Sequence, residues 1–210
     1  MARPLASIAV LLAVSASLTA CGGDTSGSAK KVEPSAATVT PAAQTTGTNT
    51  PTFRFPPDLT VDIQGFESKD ATESSVLRDA SYAIQAILEA EAGDQTVETP
   101  NFKRYWTGPH GAEYADMIIG RIKSGKSITG TYRYYSATVK PGQGGARIVD
   151  YCEDQREAYD KDAKTGKAAV TTPSLSDFRS WSLVLRKGAV GDWQVTTYNW
   201  VKGAKSCRVA

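Results

Sequence analysis

The chain has 210 residues, with 24 Lys and Arg against 22 Asp and Glu, one His and 3 Cys. No basic block or basic helix face stands out, which argues against a nucleic-acid partner, because that binding rests on neutralising phosphates. With one His and so few Cys a zinc site lacks ligands, and no cofactor is implied.

The chain opens with MARPLASIAVLLAVSASLTAC. Arg3 supplies a positive start and Ala6 to Leu18 is apolar or small throughout. That run is shorter than the about 20 residues that span a bilayer and fits the hydrophobic region of a secretory signal. It closes on Leu18-Thr19-Ala20-Cys21, which resembles the bacterial lipobox. The resemblance implies that residues 1–20 are a signal peptide, cut just before a Cys21 diacylated through its sulfur. The protein is then expected on the extracytoplasmic face of the cell membrane, held in the lipid bilayer by two acyl chains where one would bind only marginally. The alternative is an ordinary secretory signal cut near residues 13–17, which leaves Cys21 free. Residues 21–57 are rich in Ser, Thr, Ala, Gly and Pro; such a stretch buries too little apolar surface to offset its ordering entropy and is expected to be a disordered tether. About 35 residues of this kind reach roughly 30 Å.

Residues 58–210 are long enough for one domain with its own core. Between residues 70 and 94, Val76, Ala80, Ala83, Ile84, Ile87 and Leu88 recur at helical spacing. Asp70 and Glu73 form a start signal and Gly93 a stop. Phe102, Tyr105 and Trp106 follow Pro100 in one or two helical turns, and GPHG (108–111) breaks the chain, which places His110 in a loop. Ala112, Ala115, Ile118, Ile119 and Ile122 mark a further helix that Gly125 ends. The pattern then changes to strands at 127–140, 146–160, 177–188 and 191–207, separated by PGQGG, DAKTGKA and a Gly-rich hairpin. Helices grouped before strands indicate an α+β fold rather than alternating βαβ units.

GRIKSGKS at 120–127 matches G-x-x-x-x-G-K-[ST] letter for letter. A phosphate loop needs a strand to deliver it and a helix to begin straight after it. Here a helix precedes and a strand follows, so no nucleotide is expected, and Lys126 falls in a turn. No G-x-S-x-G accompanies His110. Asp160-Lys161-Asp162 has the wrong glycine spacing for a calcium loop and reads as a hairpin tip.

Asp150 and Asp154 share a strand face with Cys152, so either could serve as a general base or form an acidic wall. A solvated or salt-bridged sheet face is the competing reading. The aromatics from Tyr132 to Trp200 are read as core and sheet-face packing, with Tyr132, Tyr134 and Tyr198 as candidates for a pocket. Lipidation of Cys21 leaves Cys152 and Cys207 as an even pair in an oxidising compartment, where they are expected to bond. Two buried free thiols are the alternative.

A long first helix, a short aromatic segment, a third helix, an antiparallel sheet and a closing G-D-W-Q-V-T-x-Y strand (191–198) resemble the nuclear transport factor 2-like fold. The chain also resembles small actinobacterial lipoproteins that pair a Cys-x-Asp strand (Cys152, Asp154) with a C-terminal cysteine (Cys207). The resemblance implies N-terminal helices packed on a curled antiparallel sheet of about four strands, a cystatin-like cone with a pocket between its layers. It does not fix function, because the fold hosts isomerases, dehydratases, binding modules and adaptors. Enzymatic members generally use an Asp or a His–Asp pair inside the cone, and no such pair stands out here. The first expectation is therefore a non-catalytic lipoprotein that binds a small apolar ligand or a cell-envelope protein. The second is a cone enzyme with Asp150 or Asp154 as base.

Overall fold

One five-stranded sheet, in the order β1-β2-β3-β4-β5, carries the domain in the computed structural model, which describes residues 50–93 and 95–209. The signal segment, Cys21 and the tether as far as residue 49 lie outside the described residues. The strands are β1 Leu59–Ile63, β2 Lys126–Pro141, β3 Arg147–Asp162, β4 Phe178–Lys187 and β5 Trp193–Lys202. The sheet therefore has five strands rather than about four. The addition is β1, a five-residue edge strand that runs parallel to β2; the other pairings are antiparallel.

Three irregularities curl this sheet. Ser136 and Ala137 face one residue of β3, because Tyr135 pairs with Cys152 and Thr138 with Asp150. Ser136 takes φ 56°, as the extra residue of a bulge must leave the extended form. Gln155 and Arg156 face Tyr132 alone, and Thr196 is the extra residue between the Leu185–Val195 and Val184–Thr197 pairs. Each bulge adds twist and shifts the inward-facing parity by one. β5 accordingly turns Trp193 and Val195 inward, then Tyr198 and Trp200. Gly130 has φ +91°, and a Cβ there would lie 2.0 Å from the Glu157 carbonyl oxygen, so β2 tolerates no side chain where it bends.

The helices cover the concave face. α1 spans Ala71–Leu88, with the Asp70 carboxylate accepting from Glu73 N at 2.8 Å. Its predicted apolar stripe is buried in full, and each large aliphatic side chain contributes about 1.5–3 kcal/mol. The predicted continuation to residue 94 is instead a π-helical turn, Glu89–Gly93. Gly93 is required there, since a Cβ would meet Arg54 O at 2.3 Å. α2 spans Pro100–Tyr105 and α3 Gly108–Lys123. The expected break at GPHG is absent: Gly108 to Gly111 form the first turn of α3, where a proline costs nothing because its missing N–H has no intrahelical acceptor. His110 therefore lies on a helix, in contact with Glu113 at 3.2 Å.

Residues 50–57, read as the end of the tether, dock on the domain. Glu89 Oε1 accepts Arg54 N at 2.9 Å, Thr52 O accepts Asn101 Nδ2 at 2.9 Å, and Phe53 meets Phe55 and Tyr82 ring to ring. Cys152 and Cys207 are disulfide-bonded, with Cα atoms 5.3 Å apart. The bond ties the C-terminal turn to the convex face, where Phe178, Ala204 and Cys207 form a second small core. The GRIKSGKS stretch runs from the last turn of α3 into β2, with Gly125 at φ +70° between them. Lys126 is the first residue of β2 rather than part of the turn, and no helix follows.

Candidate functional site

The concave side of the sheet and the facing surfaces of α1 and α3 leave a cleft of about 240 Å³. Alternation along β3 turns Val149, Tyr151, Glu153 and Gln155 towards the helices, and along β4 it turns Arg179 and Trp181 the same way. β2 adds Ile128, Tyr132 and Tyr134, and β5 adds Trp200. The helical wall is Ile84, Ile87 and Leu88 from α1, Glu91 from the π-helical turn, and Tyr114, Met117 and Arg121 from α3. Met117 (44% exposed) and Trp200 (39% exposed) line the cleft and also reach solvent, so they mark its mouth.

Glu153 is the most deeply buried carboxylate of this cleft, 3% exposed. Its Oε1 accepts from Tyr134 Oη at 3.0 Å and Gln155 Nε2 at 2.7 Å, and its Oε2 accepts from Trp181 Nε1 at 2.7 Å. Arg179 Nη1 lies 3.8 Å from Oε2, an ion pair without hydrogen-bond contact. The carboxylate thus fixes the orientation of two aromatic rings, and three of its about four lone-pair sites are taken. Burial pushes the hydroxyl pKa of Tyr114, Tyr132, Tyr134 and Tyr151 upward, so these phenols stay neutral.

At the other end Glu91 Oε2 accepts Arg121 Nε at 3.0 Å, and Arg121 Nη2 donates to Asp160 Oδ1 at 2.7 Å. Burial raises the Glu91 pKa, with Arg121 opposing it and Glu153 and Asp160 adding to it. The π-helical turn is what places this carboxylate. A regular helix advances by about 100° per residue and would point residue 91 in a different direction, and such turns are frequent at functional sites.

Of the five residues expected in the pocket, Tyr132 and Tyr134 line it. Tyr198 packs beside it, against Trp106, Tyr114 and Trp181. Asp150 and Asp154 do not belong to it. They do share the Cys152 face of β3, but that face is the convex one, bearing the disulfide. Asp150 pairs with Lys140 at 2.7 Å; burial acts to raise its pKa, but hydrogen bonds from Lys140 and Ser182 outweigh burial and hold it below the usual range. Asp154 is likewise lowered, burial being overcome by the Arg156 side chain and backbone N–H. Neither carboxylate can meet a ligand in the cleft, and both are poor bases. Glu153 had a signal in the sequence: it lies two and four residues from Tyr151 and Val149, on the apolar face of the same strand. Among the described residues no group of three or more His, Cys, Asp and Glu could hold a metal ion.

No protein-family model matches the chain, and no curated protein is similar to it in sequence. Among solved structures it is similar to the intermembrane-space region of the chloroplast protein ARC6, at 14% identity, covering 64% of this chain and 98% of that one, with a TM-score of 0.45. It is also similar to a ketosteroid isomerase-like protein from Erwinia carotovora atroseptica, at 18% identity over 61% of this chain and 94% of that one, TM-score 0.42. A putative ketosteroid isomerase from Shewanella frigidimarina matches at 16% identity over 66% and 98% of the two chains, TM-score 0.34.

Proposed function

We propose that the protein is a membrane-anchored extracytoplasmic lipoprotein, held by an acylated Cys21, whose domain binds a small, largely apolar ligand in the cleft without transforming it. The observation that carries the binding reading is the cleft itself: an open space walled by aromatic rings and aliphatic α1 side chains. Its most buried carboxylate already accepts from three donors and faces the Arg179 guanidinium, which leaves a single lone pair for the proton a general base would take. The expected alternative, a base at Asp150 or Asp154, has its carboxylates on the wrong side of the sheet.

The anchoring reading rests on Leu18-Thr19-Ala20-Cys21 and on the Cys152–Cys207 disulfide, a bond that persists in oxidising compartments. Two experiments test it. Metabolic labelling with a radioactive fatty acid should mark the wild type and not Cys21→Ala, which should leave the membrane fraction; equal labelling of both would refute lipidation at this position. Native mass spectrometry of the protein from its own host should show a bound mass that departs on denaturation. An unliganded mass, together with a captured envelope protein, would replace the small-ligand reading with a protein partner.

A further inference from the structure

The side chain of Arg179 is three-quarters buried in the cleft, at 25% exposure. Among the described residues, none of its N–H groups donates a hydrogen bond. Nε is sealed from solvent with no acceptor, Nη1 stands 3.8 Å from Glu153, and the guanidinium lies over the Trp200 ring at 5.0 Å. A guanidinium in such a place ordinarily spends its donors on a carboxylate. Glu153 would be the natural recipient, but it already accepts from Tyr134, Gln155 and Trp181, and Arg179 stops 3.8 Å short of the oxygen that still has room. The fork is held by stacking and left with its donors open.

We propose that Arg179 is the head-group anchor of the cleft and that the ligand is an amphipathic monocarboxylate, its carboxylate on Arg179 and its apolar body running inward along Ile84, Ile87 and Trp181. This rests on the ligand-binding reading above and names the class of ligand. Two further observations fit. Arg179 lies on the same cleft wall as Trp200 at the mouth, so the charged group stays near water while the body enters the apolar space. Lys202 is directly opposite Arg179 across β4 and β5, and side chains of directly opposed residues share one face of the sheet. Lys202 thus adds a second positive charge to the face of the sheet that carries Arg179. Arg121, the other guanidinium of the cleft, is committed to Glu91 and Asp160.

The test uses the full chain in phospholipid nanodiscs, with empty nanodiscs as the blank. Three probes share one tail and differ in head group: octanoate, 1-octanol and octyltrimethylammonium. Binding is read from the fluorescence of the tryptophans, of which Trp181 and Trp200 line the cleft. Octanoate should bind about tenfold or more tighter than octanol, the scale of a charge-assisted hydrogen-bond pair. Arg179→Gln should remove that difference while leaving octanol binding in place, and Arg179→Lys should restore only part of it, because an ammonium lacks the planar fork. Retained octanol binding shows that the Gln variant is folded. Equal affinity for octanoate and octanol, unchanged in Arg179→Gln, overturns the head-group assignment and leaves the apolar-ligand reading standing. Preference for the trimethylammonium probe also overturns it and transfers recognition to Glu91 and Glu153. Failure of all three probes to bind overturns both readings.

Discussion

Replacing both bonded cysteines, Cys152→Ala with Cys207→Ala, tests how the convex face is held. The bond closes a loop of 55 residues. In the chain-entropy account, removing such a cross-link frees the unfolded chain and lowers stability by about 4 kcal/mol. In a domain of this size each kcal/mol moves the melting temperature by about 2–4 °C, so the expected fall is about 8–16 °C. The folded state itself changes little. Gly203 N and Ala204 N still donate to Phe178 O at 2.9 and 3.0 Å, Tyr135 Oη still donates to Cys207 O, and alanine keeps position 207 apolar beside Phe178. The effect should therefore come through the unfolded state. The assay is urea unfolding of wild type and double variant at one pH, followed by circular dichroism. Alongside the loss of stability, the urea dependence should steepen, because a chain without the cross-link exposes more surface when it opens. A loss below about 1 kcal/mol with an unchanged slope would refute the argument. It would mean that β5 and the C-terminal turn dock strongly enough for the bond to be thermodynamically silent.

Gly130→Ala should cost more than about 2 kcal/mol in the same assay, since it combines a left-handed φ with a Cβ 2.0 Å from Glu157 O; a variant within about 0.5 kcal/mol of wild type, the size of a neutral surface change, would show that β2 can straighten. Glu153→Leu removes the acceptor for Tyr134, Gln155 and Trp181 and should lose about 1–3 kcal/mol together with a shift in tryptophan emission; an unchanged spectrum would show that Trp181 does not depend on the carboxylate. Because the Glu91 pKa is raised in the folded state, the protonated form is favoured there. The stabilisation is fully present below the ordinary glutamate value of about 4.3 and is lost as pH rises through the folded pKa. Stability measured against pH should fall across that window in wild type relative to Glu91→Gln; parallel profiles would remove burial as the cause. Arg104→Gln breaks the two-point contact with Asp192 (2.7 and 2.9 Å) and should destabilise by about 3–5 kcal/mol, read as a lower urea midpoint; an unchanged midpoint would show that the remaining contacts hold the β4–β5 turn to α2.

Some of this was legible in the sequence because it follows from local chemistry. The apolar stripe of α1, its Asp70 cap, the Gly125 stop and the alternation of β3 and β4 depend on neighbours within a few residues. The α+β order was legible from the sequence of these local patterns, and the pairing of Cys152 with Cys207 from the cysteine count alone, once Cys21 is set aside. What tertiary structure alone decided is which way each side chain faces. A bulge at Ser136–Ala137, another at Gln155–Arg156 and a third at Thr196 each shift the parity of a strand, and their positions are set by pairing with residues distant in the chain. Alternation put Asp150, Cys152 and Asp154 on one face correctly, but not which face the helices would cover. That choice left Glu153, on the Val149 and Tyr151 side, as the carboxylate of the cleft. β1 escaped notice for a similar reason: five residues after Pro57 carry little pattern, and they become a strand only because the β2 edge offers them unpaired backbone groups. The open donors of Arg179 are the plainest case. A sequence shows that an arginine is present, but only the fold can show that the glutamate across from it holds three other donors and stands out of hydrogen-bond reach.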